Sequence, residues 1–442
     1  MRDIFVTIIV FGSLPFIFYR PYIGVLMWSW LGYMNPHRLC WGFAYNFPFA
    51  QIVALVTMLA MLFSSENKRI PWTRETVVLV MFIAWMCVTT IFAVHGALAQ
   101  AELIKVLKIQ LMTFVTLMLM TNRHRIDLLV WIIVLSLDFY GIKGGIFTLT
   151  TGGGYHVRGP QGSFIGGNNE IGLALIMTIP LVRYLHLQAK KVWLKWGLMA
   201  AMGLSVVAIL GTQSRGALLG LVVMGAMLIW KTRRRFTLFI VMGSIMLAGI
   251  SFMPGSWHER METIRHYQTD ASAMGRINAW EFAINVAKDR PIVGAGNVAF
   301  LPDLFARYAP DPDNVHDAHS IYFEVLAEHG FVGFGLFMLL GWFTWRSCSL
   351  VAKQARPHAE AQWIADLAGM LQVSMVGFAV SGAFLGLAYF DLYYHLIAIV
   401  ILMKVQMRQL ESQPKAFDEE EQSRDGQPAQ RGRVAIARFG GK

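Results

Sequence analysis

Long apolar segments recur along almost the whole chain, and they restrict its fold more than any other feature. Most approach the roughly 20 apolar residues that a helix needs to cross a bilayer. Only 15% of the 442 residues are charged, whereas soluble domains carry about 25%. The sequence therefore predicts an all-α polytopic membrane protein with about 12 transmembrane helices. The apolar segments are residues 4–34, 48–64, 76–93, 100–120, 125–145, 165–186, 193–211, 214–230, 235–253, 319–347, 362–380 and 389–406.

The first apolar segment, residues 4–34, is long enough for two helices. Pro15 and the Arg20-Pro21 pair interrupt it, and proline inside a helix kinks or ends that helix. The sequence leaves open whether this segment crosses the membrane once or twice. Because the apolar run after Met1 lacks a small-residue cleavage site, we expect the first helix to be retained.

The distribution of charge predicts the orientation of the chain. A net charge of +11 would favour a nucleic-acid partner in a soluble protein, but here the basic residues concentrate in short connections between apolar segments. This pattern follows the positive-inside rule, so these connections are predicted to be cytoplasmic and the alternate ones periplasmic. The three cysteines are scattered and form no CxxC pair, which argues against a disulfide framework or a zinc site. The basic connections lie at residues 68–74, 123–125, 190–195, 231–235 and 353–356, and in the tail from Arg408.

One long polar insert, residues 254–318, interrupts the apolar pattern. It contains nine Asp or Glu residues and six Lys or Arg residues, so it lacks the cytoplasmic signature. We expect about nine transmembrane helices in residues 1–253 and about three in residues 319–407. The insert is predicted to be a periplasmic catalytic loop, and residues 408–442 a disordered cytoplasmic tail.

Short helices are predicted inside the polar insert. An amphipathic helix is expected at residues 279–286 and a second helix at residues 300–309. The polar turn at residues 310–314 then brings His316 and His319 to the start of the next apolar segment. His319 is therefore expected in the first turn of a long helix at the membrane boundary.

Arginine residues at unusual positions are candidate anion-binding groups. Arg215 lies between two apolar segments, where a charged side chain is costly and usually functional, although it could also extend to the lipid head groups. Arg276 is predicted to open the amphipathic helix, and both helix N termini and guanidinium groups bind phosphate oxygens. A surface ion pair of Arg276 with Asp270 or Glu281 is equally consistent with the sequence. Arg158 is a weaker candidate, since its Gly-rich link does not match a Walker loop.

His319 is the candidate general base, because an imidazole changes its charge near neutral pH. His316 and His329 are close enough in sequence to compete for this role. A metal site built on His316, Asp317 and His319 is disfavoured, because a further firm ligand at the usual spacing is missing. Tyr322 follows His319 by three residues and is expected on nearly the same helix face.

Three groups of residues in the second half of the chain resemble the O-antigen ligase and polymerase superfamily. The resemblance extends over residues 215–333, and the remaining chain resembles the superfamily in hydropathy alone. Members often have Asn at the position of Ser320 here. The opening segment, residues 20–38, further resembles the branch known as O-glycosylation ligases. The three groups are Ser214-Arg215-Gly216-Ala217; Gly275-Arg276 with Trp280 and the run Asp289 to Gly296; and Ala318-His319-Ser320 with Leu326, Glu328, Gly330 and Gly333.

The resemblance implies a glycosyltransferase of the bacterial inner membrane with a GT-C-like fold and an active site that faces the periplasm. It implies transfer of O-antigen from undecaprenyl pyrophosphate to a hydroxyl of lipid A-core, with inversion at the anomeric carbon and without metal or cofactor. The implied partners are these two glycolipids and the surrounding membrane lipids, with no nucleic acid. The implied catalytic residues are His319 as base with Arg215 and Arg276 on the diphosphate; Arg265, Arg158, Trp280 and Tyr322 are expected to contact diphosphate or sugar.

Alternative functions remain open at the level of the sequence. An O-antigen polymerase or a protein O-oligosaccharyltransferase would use the same leaving group and differ only in the acceptor. A lipid-linked-glycan transporter is less favoured, because secondary transporters usually show repeat symmetry and broken helices in matching halves. The sequence shows neither feature clearly.

Overall fold

The computed structural model describes residues 1–66, 68–232, 235–262 and 271–412. In these ranges the regular structure is helical, which confirms the all-α prediction. Arg265 lies outside the described residues, as does the tail from residue 413. The α-helices of the described ranges are α1 Arg2–Tyr19, α2 Tyr22–Met34, α3 Phe49–Phe63, α4 Arg74–Ile91, α5 Gly96–Leu119, α6 Arg123–Thr150, α7 Asn168–Gln188, α8 Val192–Gly211, α9 Arg215–Lys231, α10 Arg235–Phe252, α11 Gly255–Glu262, α12 Ala271–Asp289, α13 Pro302–Tyr308, α14 Ile321–Ala355, α15 Gln362–Gly382 and α16 Asp391–Ser412.

Each predicted apolar segment contains at least one helix. Among the described residues, 6 helices are long and apolar enough to cross a membrane: α1, α4, α7, α8, α14, and α15 with the turn before it. The chain is therefore consistent with a multi-pass membrane protein. The count of about 12 membrane-spanning helices stays a prediction.

The first apolar segment, residues 4–34, forms two antiparallel helices. The break falls at Arg20-Pro21, where Arg20 takes an extended conformation, as the residue before a proline usually does. The start of α1 contacts the segment that follows α2: the Asp3 carboxylate accepts hydrogen bonds from the backbone N–H groups of Gly42 (3.0 Å) and Ala44 (3.1 Å). The hairpin thus begins and ends on the same side of the helix bundle.

The centre of the bundle is formed by α7 and α15. Within their most apolar windows, 78% of α7 and 72% of α15 is buried, against 17% of α1. Small residues let the central helices approach closely, as is common in membrane bundles. A Cβ atom at Gly220 of α9 would overlap the hydroxyl oxygen of Ser381 of α15. The outer helix α1 instead presents exposed apolar side chains such as Phe5 and Ile8.

Three boundaries differ from the sequence prediction. Helix α12 is described from Ala271, so Arg276 lies in its second turn and does not open the helix; the Ala-Ser-Ala stretch before it contains no helix breaker. Helix α14 begins at Ile321, so His319 lies just before the helix. Helix α16 continues to Ser412, so the predicted disorder is wrong for residues 408–412.

Candidate active site

A break inside α14 positions the segment that follows His319. Gly330 has φ 66° and ψ −170°, a region of backbone conformation that is essentially restricted to glycine. Residues 321–329 therefore form a short helix that is set off from the rest of α14. This short helix begins directly after the loop that carries His319.

The exposed backbone groups at this break are satisfied by residues 291–296 of the insert. Buried backbone groups need such partners, because leaving them unpaired is costly. Gly294 (φ 63°) and Gly296 (φ 85°) give this segment the turn that it needs. Three hydrogen bonds join the two segments: Ala295 N–H to Ala327 O (2.8 Å), Gly296 N–H to Glu328 O (2.9 Å) and Phe331 N–H to Pro291 O (2.8 Å).

A buried polar network fixes the same short helix from the other side. The Tyr389 hydroxyl donates to one carboxylate oxygen of Glu328 (2.6 Å) and lies 2.8 Å from Nε2 of His329. The second oxygen of Glu328 accepts the N–H of Val298 (2.8 Å), and Nδ1 of His329 lies 2.7 Å from the Thr89 hydroxyl. His329 is completely buried. With both ring nitrogens engaged, its arrangement is that of a structural residue rather than a base.

The loop that carries His319 is attached to α12. Trp280 of α12 donates a hydrogen bond from Nε1 to the carbonyl oxygen of Ala318 (2.8 Å). Ala318 and Ser320 are buried, while His319 between them is half-buried. His319 has φ 40°. A positive φ is uncommon in residues other than glycine, and such residues are often found at functional sites.

The surroundings of His319 favour the neutral imidazole. Burial lowers its pKa from the usual value, and the nearby Arg276 guanidinium lowers the pKa further; Asp317 acts in the opposite direction, and His316 adds a smaller lowering. Arg276 of α12 and His319 are thus close enough to interact electrostatically. A neutral imidazole near pH 7 is the form that accepts a proton.

Two residues of α12 hold the chain that leads to His319. The Asn278 side chain donates to the carbonyl oxygens of Asp311 (2.8 Å) and Asn314 (3.0 Å). Gly275 lies against the imidazole of His316, since a Cβ atom there would be 3.0 Å from the ring. Gly275, the residue before Arg276, therefore leaves room for the His316 ring, and His316 packs against α12.

The start of α9, which carries Arg215, is connected to the same region through Phe384. It is the first residue of α9, whose N-cap Ser214 accepts a hydrogen bond from the backbone of Ala217 (3.2 Å). A Cβ atom at the adjacent Gly216 would lie 3.0 Å from Cβ of Phe384. The ring centroid of Phe384 is 6.4 Å from that of Trp280, so two contacts connect the start of α9 with the helix that holds the His319 loop.

The remaining predicted ligand contacts have different surroundings. Arg158 is exposed and follows Val157, whose N–H donates to Gly211 O (2.9 Å), near the loop before α9. The Tyr322 hydroxyl donates to Ala379 O of α15 (2.9 Å), so its polar end is directed toward the bundle. Within the described ranges, no three His, Cys, Asp or Glu side chains cluster as metal ligands.

Several residues that organise the site were not singled out from the sequence. Phe384 and Tyr389 lie in the link between α15 and α16, and both contact residues that are at least 60 positions away in the chain. No local signal identifies such residues. Asn278 gave a weak signal, because a polar side chain on the buried face of an amphipathic helix requires hydrogen-bond partners.

Comparison with known families agrees with this arrangement. Residues 174–338 match the O-antigen ligase family, a range that includes Arg215, Arg276 and His319. Residues 1–190 match a family of unknown function (DUF5935). No curated protein matches the chain.

Residues 174–338 thus match an O-antigen ligase domain, which confirms the resemblance drawn from the sequence motifs. This domain implies a ligase or polymerase of the glycosyltransferase type that acts in lipopolysaccharide biosynthesis. Its partners in general are a lipid-linked glycan and lipid A-core.

Proposed function

We propose that the protein transfers O-antigen from undecaprenyl pyrophosphate to a hydroxyl of lipid A-core, without a metal or cofactor. The observation that carries this proposal is the pairing of His319 with Arg276: the loop of one is hydrogen-bonded to the helix of the other, and burial together with the Arg276 guanidinium lowers the pKa of His319. A base next to a fixed positive charge suits the attack of a hydroxyl on a sugar that carries a diphosphate leaving group.

Arg215 and Arg276 neutralise the departing diphosphate in this proposal. A diphosphate is already a good leaving group, so the protein mainly has to stabilise the charge that develops on it. Guanidinium groups form paired hydrogen bonds with phosphate oxygens, and such interactions are strongest in sites that exclude water. Trp280 and the exposed Arg158 are the further contacts that we assign to sugar or diphosphate.

His319 accepts the proton of the attacking hydroxyl. The acceptor oxygen forms a bond to the anomeric carbon, and the bond from that carbon to the diphosphate oxygen breaks with its electron pair. The configuration at the anomeric carbon is therefore inverted. The proton moves from the acceptor hydroxyl to the neutral imidazole and is then released to water.

We assign the site to the periplasmic face of the inner membrane, with residues 254–318 as the catalytic loop of a GT-C-like protein. Two contacts support this topology. The insert docks on a predicted periplasmic link, where Val94 N–H donates to Ala295 O (2.9 Å). At the other end of the bundle, the predicted cytoplasmic links meet through the ion pair of Arg125 with Glu66 (2.6 Å).

The proposed roles are tested with purified protein, lipid-linked glycan and lipid A-core. We expect His319→Ala and Arg276→Ala each to lower the ligation rate about a hundredfold or more. Arg307→Ala is the matched control, since Arg307 is an exposed arginine of the same insert that lies 3.6 Å from Asp289. A near-normal rate for His319→Ala removes the base from the mechanism.

The acceptor is tested in cells that lack this gene, by a lipopolysaccharide gel and extraction of undecaprenyl-linked glycan. Long O-antigen on the carrier with bare lipid A-core supports a ligase. Single repeat units on the core, with no polymer, indicate an O-antigen polymerase; intact lipopolysaccharide with unglycosylated protein indicates a protein O-oligosaccharyltransferase. Turnover by detergent-solubilised protein excludes a pure transporter, because no membrane remains to be crossed.

A further inference from the structure

A cationic cavity lies at the end of the bundle opposite His319. It has a volume of about 730 Å³ and lies between the beginning of α4 and the ends of α14 and α16. Its α14 residues begin at Ser347, about 25 Å along the helix from the break at Gly330 at a rise of 1.5 Å per residue. The cavity is therefore separate from the candidate active site.

Positive charge dominates the lining of this cavity. Arg74, Lys353, Lys404 and Arg408 line it, with Glu411 as a carboxylate among the lining residues. Lys404 already has a partner, the fully buried Glu75 at 2.6 Å. For Lys353 and Arg408, the described residues contain no carboxylate within salt-bridge distance. The cavity thus keeps positive charge that its own walls do not neutralise.

Two further features fit an anionic group. Helix α4 begins at this cavity with Thr73 and Arg74, and a helix N terminus carries partial positive charge that attracts anions. Arg74 also lies over the ring of Phe343, with 5.7 Å between its guanidinium carbon and the ring centroid. This contact limits the positions that the guanidinium group can adopt.

The rim of the cavity is apolar. Trp72 is 65% exposed and Leu350 is 45% exposed, and both line the opening. Tryptophan is enriched where membrane helices meet the lipid head groups. A ligand that fits both surfaces has a phosphate at one end and hydrocarbon at the other.

We propose that this cavity binds the phosphate group of an anionic phospholipid, at the membrane face opposite the ligation site. Basic pockets between helices on the cytoplasmic side bind such head groups in other membrane proteins. The shared chemistry is a phosphate held by Arg74, Lys353 and Arg408. Free phosphate is also an anion but lacks the hydrocarbon that the Trp72 rim would contact.

The test measures the Tm of the detergent-solubilised full chain during titration with phosphatidylglycerol, phosphatidylcholine or inorganic phosphate. We expect phosphatidylglycerol to raise the Tm more than phosphatidylcholine. Each lost basic residue weakens the attraction to an anionic surface about fivefold, so Arg74→Gln with Arg408→Gln shifts the midpoint about 25-fold. Arg346→Gln with Arg356→Gln is the control, because Arg346 of α14 and Arg356 directly after α14 are exposed and do not line the cavity.

The outcomes separate the sources of the phosphate. An effect of phosphatidylglycerol that is lost in the cavity variant and kept in the control supports the proposal. An equal effect of inorganic phosphate supports the phosphate site but assigns it to a soluble ligand. If the cavity variant and the control variant have equal midpoints in the phosphatidylglycerol titration, the proposal is wrong. If the double variant does not fold, Lys353→Gln is measured, and a shift of about fivefold is expected.

A different occupant is also distinguishable. The acidic run at residues 418–421 follows α16 closely in sequence. If no phosphate compound changes the Tm, while neutralising that run lowers it as much as the cavity variant does, the acidic run is the occupant and the proposal is wrong. Ligation activity is unaffected by the cavity variant in either case, so failure of this proposal is distinct from failure of the proposed function.

Discussion

Replacing Gly330 by alanine tests whether the break in α14 positions His319. At φ 66° and ψ −170°, a residue with a side chain is strained by about 1–3 kcal/mol. The added Cβ atom would also lie 2.5 Å from Ile292 O and 2.6 Å from Pro291 O. Because neither oxygen belongs to a flexible side chain, residues 291–292 must move away by several tenths of an ångström.

This movement weakens the docking of the insert on α14. The hydrogen bond from Phe331 N–H to Pro291 O (2.8 Å) is the first to be lost, at about 0.5–1.5 kcal/mol. Together the two effects predict a destabilisation of about 2–4 kcal/mol. A displacement of about 1 Å at a catalytic group can lower a rate about a hundredfold. We therefore expect Gly330→Ala to lower the ligation rate about tenfold to a hundredfold.

The assay compares Tm and ligation rate with those of a matched variant, Gly335→Ala. Gly335 lies in the same helix, and a Cβ atom there would meet no atom within 4 Å. Alanine at that position is expected to be neutral or stabilising, by up to about 1 kcal/mol. If Gly330→Ala matches Gly335→Ala in both measurements, the reasoning about the break is refuted.

Three further predictions concern the base and the short helix that follows it. Burial and Arg276 lower the pKa of His319. The ligation rate should therefore stay at its maximum as the pH falls below about 6.5, the usual pKa of an imidazole. Arg276→Gln should move the acid limb of the pH profile to higher pH, and an unmoved limb would contradict the electrostatic contact. Gly275→Ala should lower the ligation rate, since its Cβ atom would lie 3.0 Å from the His316 ring. The double variant with His316→Ala should recover part of the lost rate. If the rate does not recover, the contact between Gly275 and His316 is not the cause. Tyr389→Phe should lower stability by about 1–3 kcal/mol, because two buried polar groups lose a partner; an unchanged Tm would show that the network is not needed for stability.

The sequence alone predicted the helical architecture well. Each apolar segment forms at least one helix, and the resemblance to the O-antigen ligase superfamily was confirmed. The helix-breaking Arg20-Pro21 pair was recognised, although the sequence did not decide between one helix and two. These features are local, since segment length, hydropathy and proline act within a few turns of the chain.

The surroundings of the candidate base could not be predicted in the same way. The sequence favoured His319 as the base and left His316 and His329 as competitors, and contacts that are distant in the chain distinguish their environments. His329 is held by Thr89 and Tyr389, which are 240 and 60 residues away in sequence. Such partners leave no periodic signal in either segment.

The amino-acid sequence thus determined which parts of the chain are apolar helices and which single insert is polar, because bilayer length and hydrophobicity act on each segment separately. Only the tertiary structure decided that residues 291–296 satisfy the broken backbone at Gly330, and that α12 holds the loop of His319. The physical reason is that a buried backbone group or imidazole needs a partner in space. Which residue supplies that partner depends on how all the helices pack.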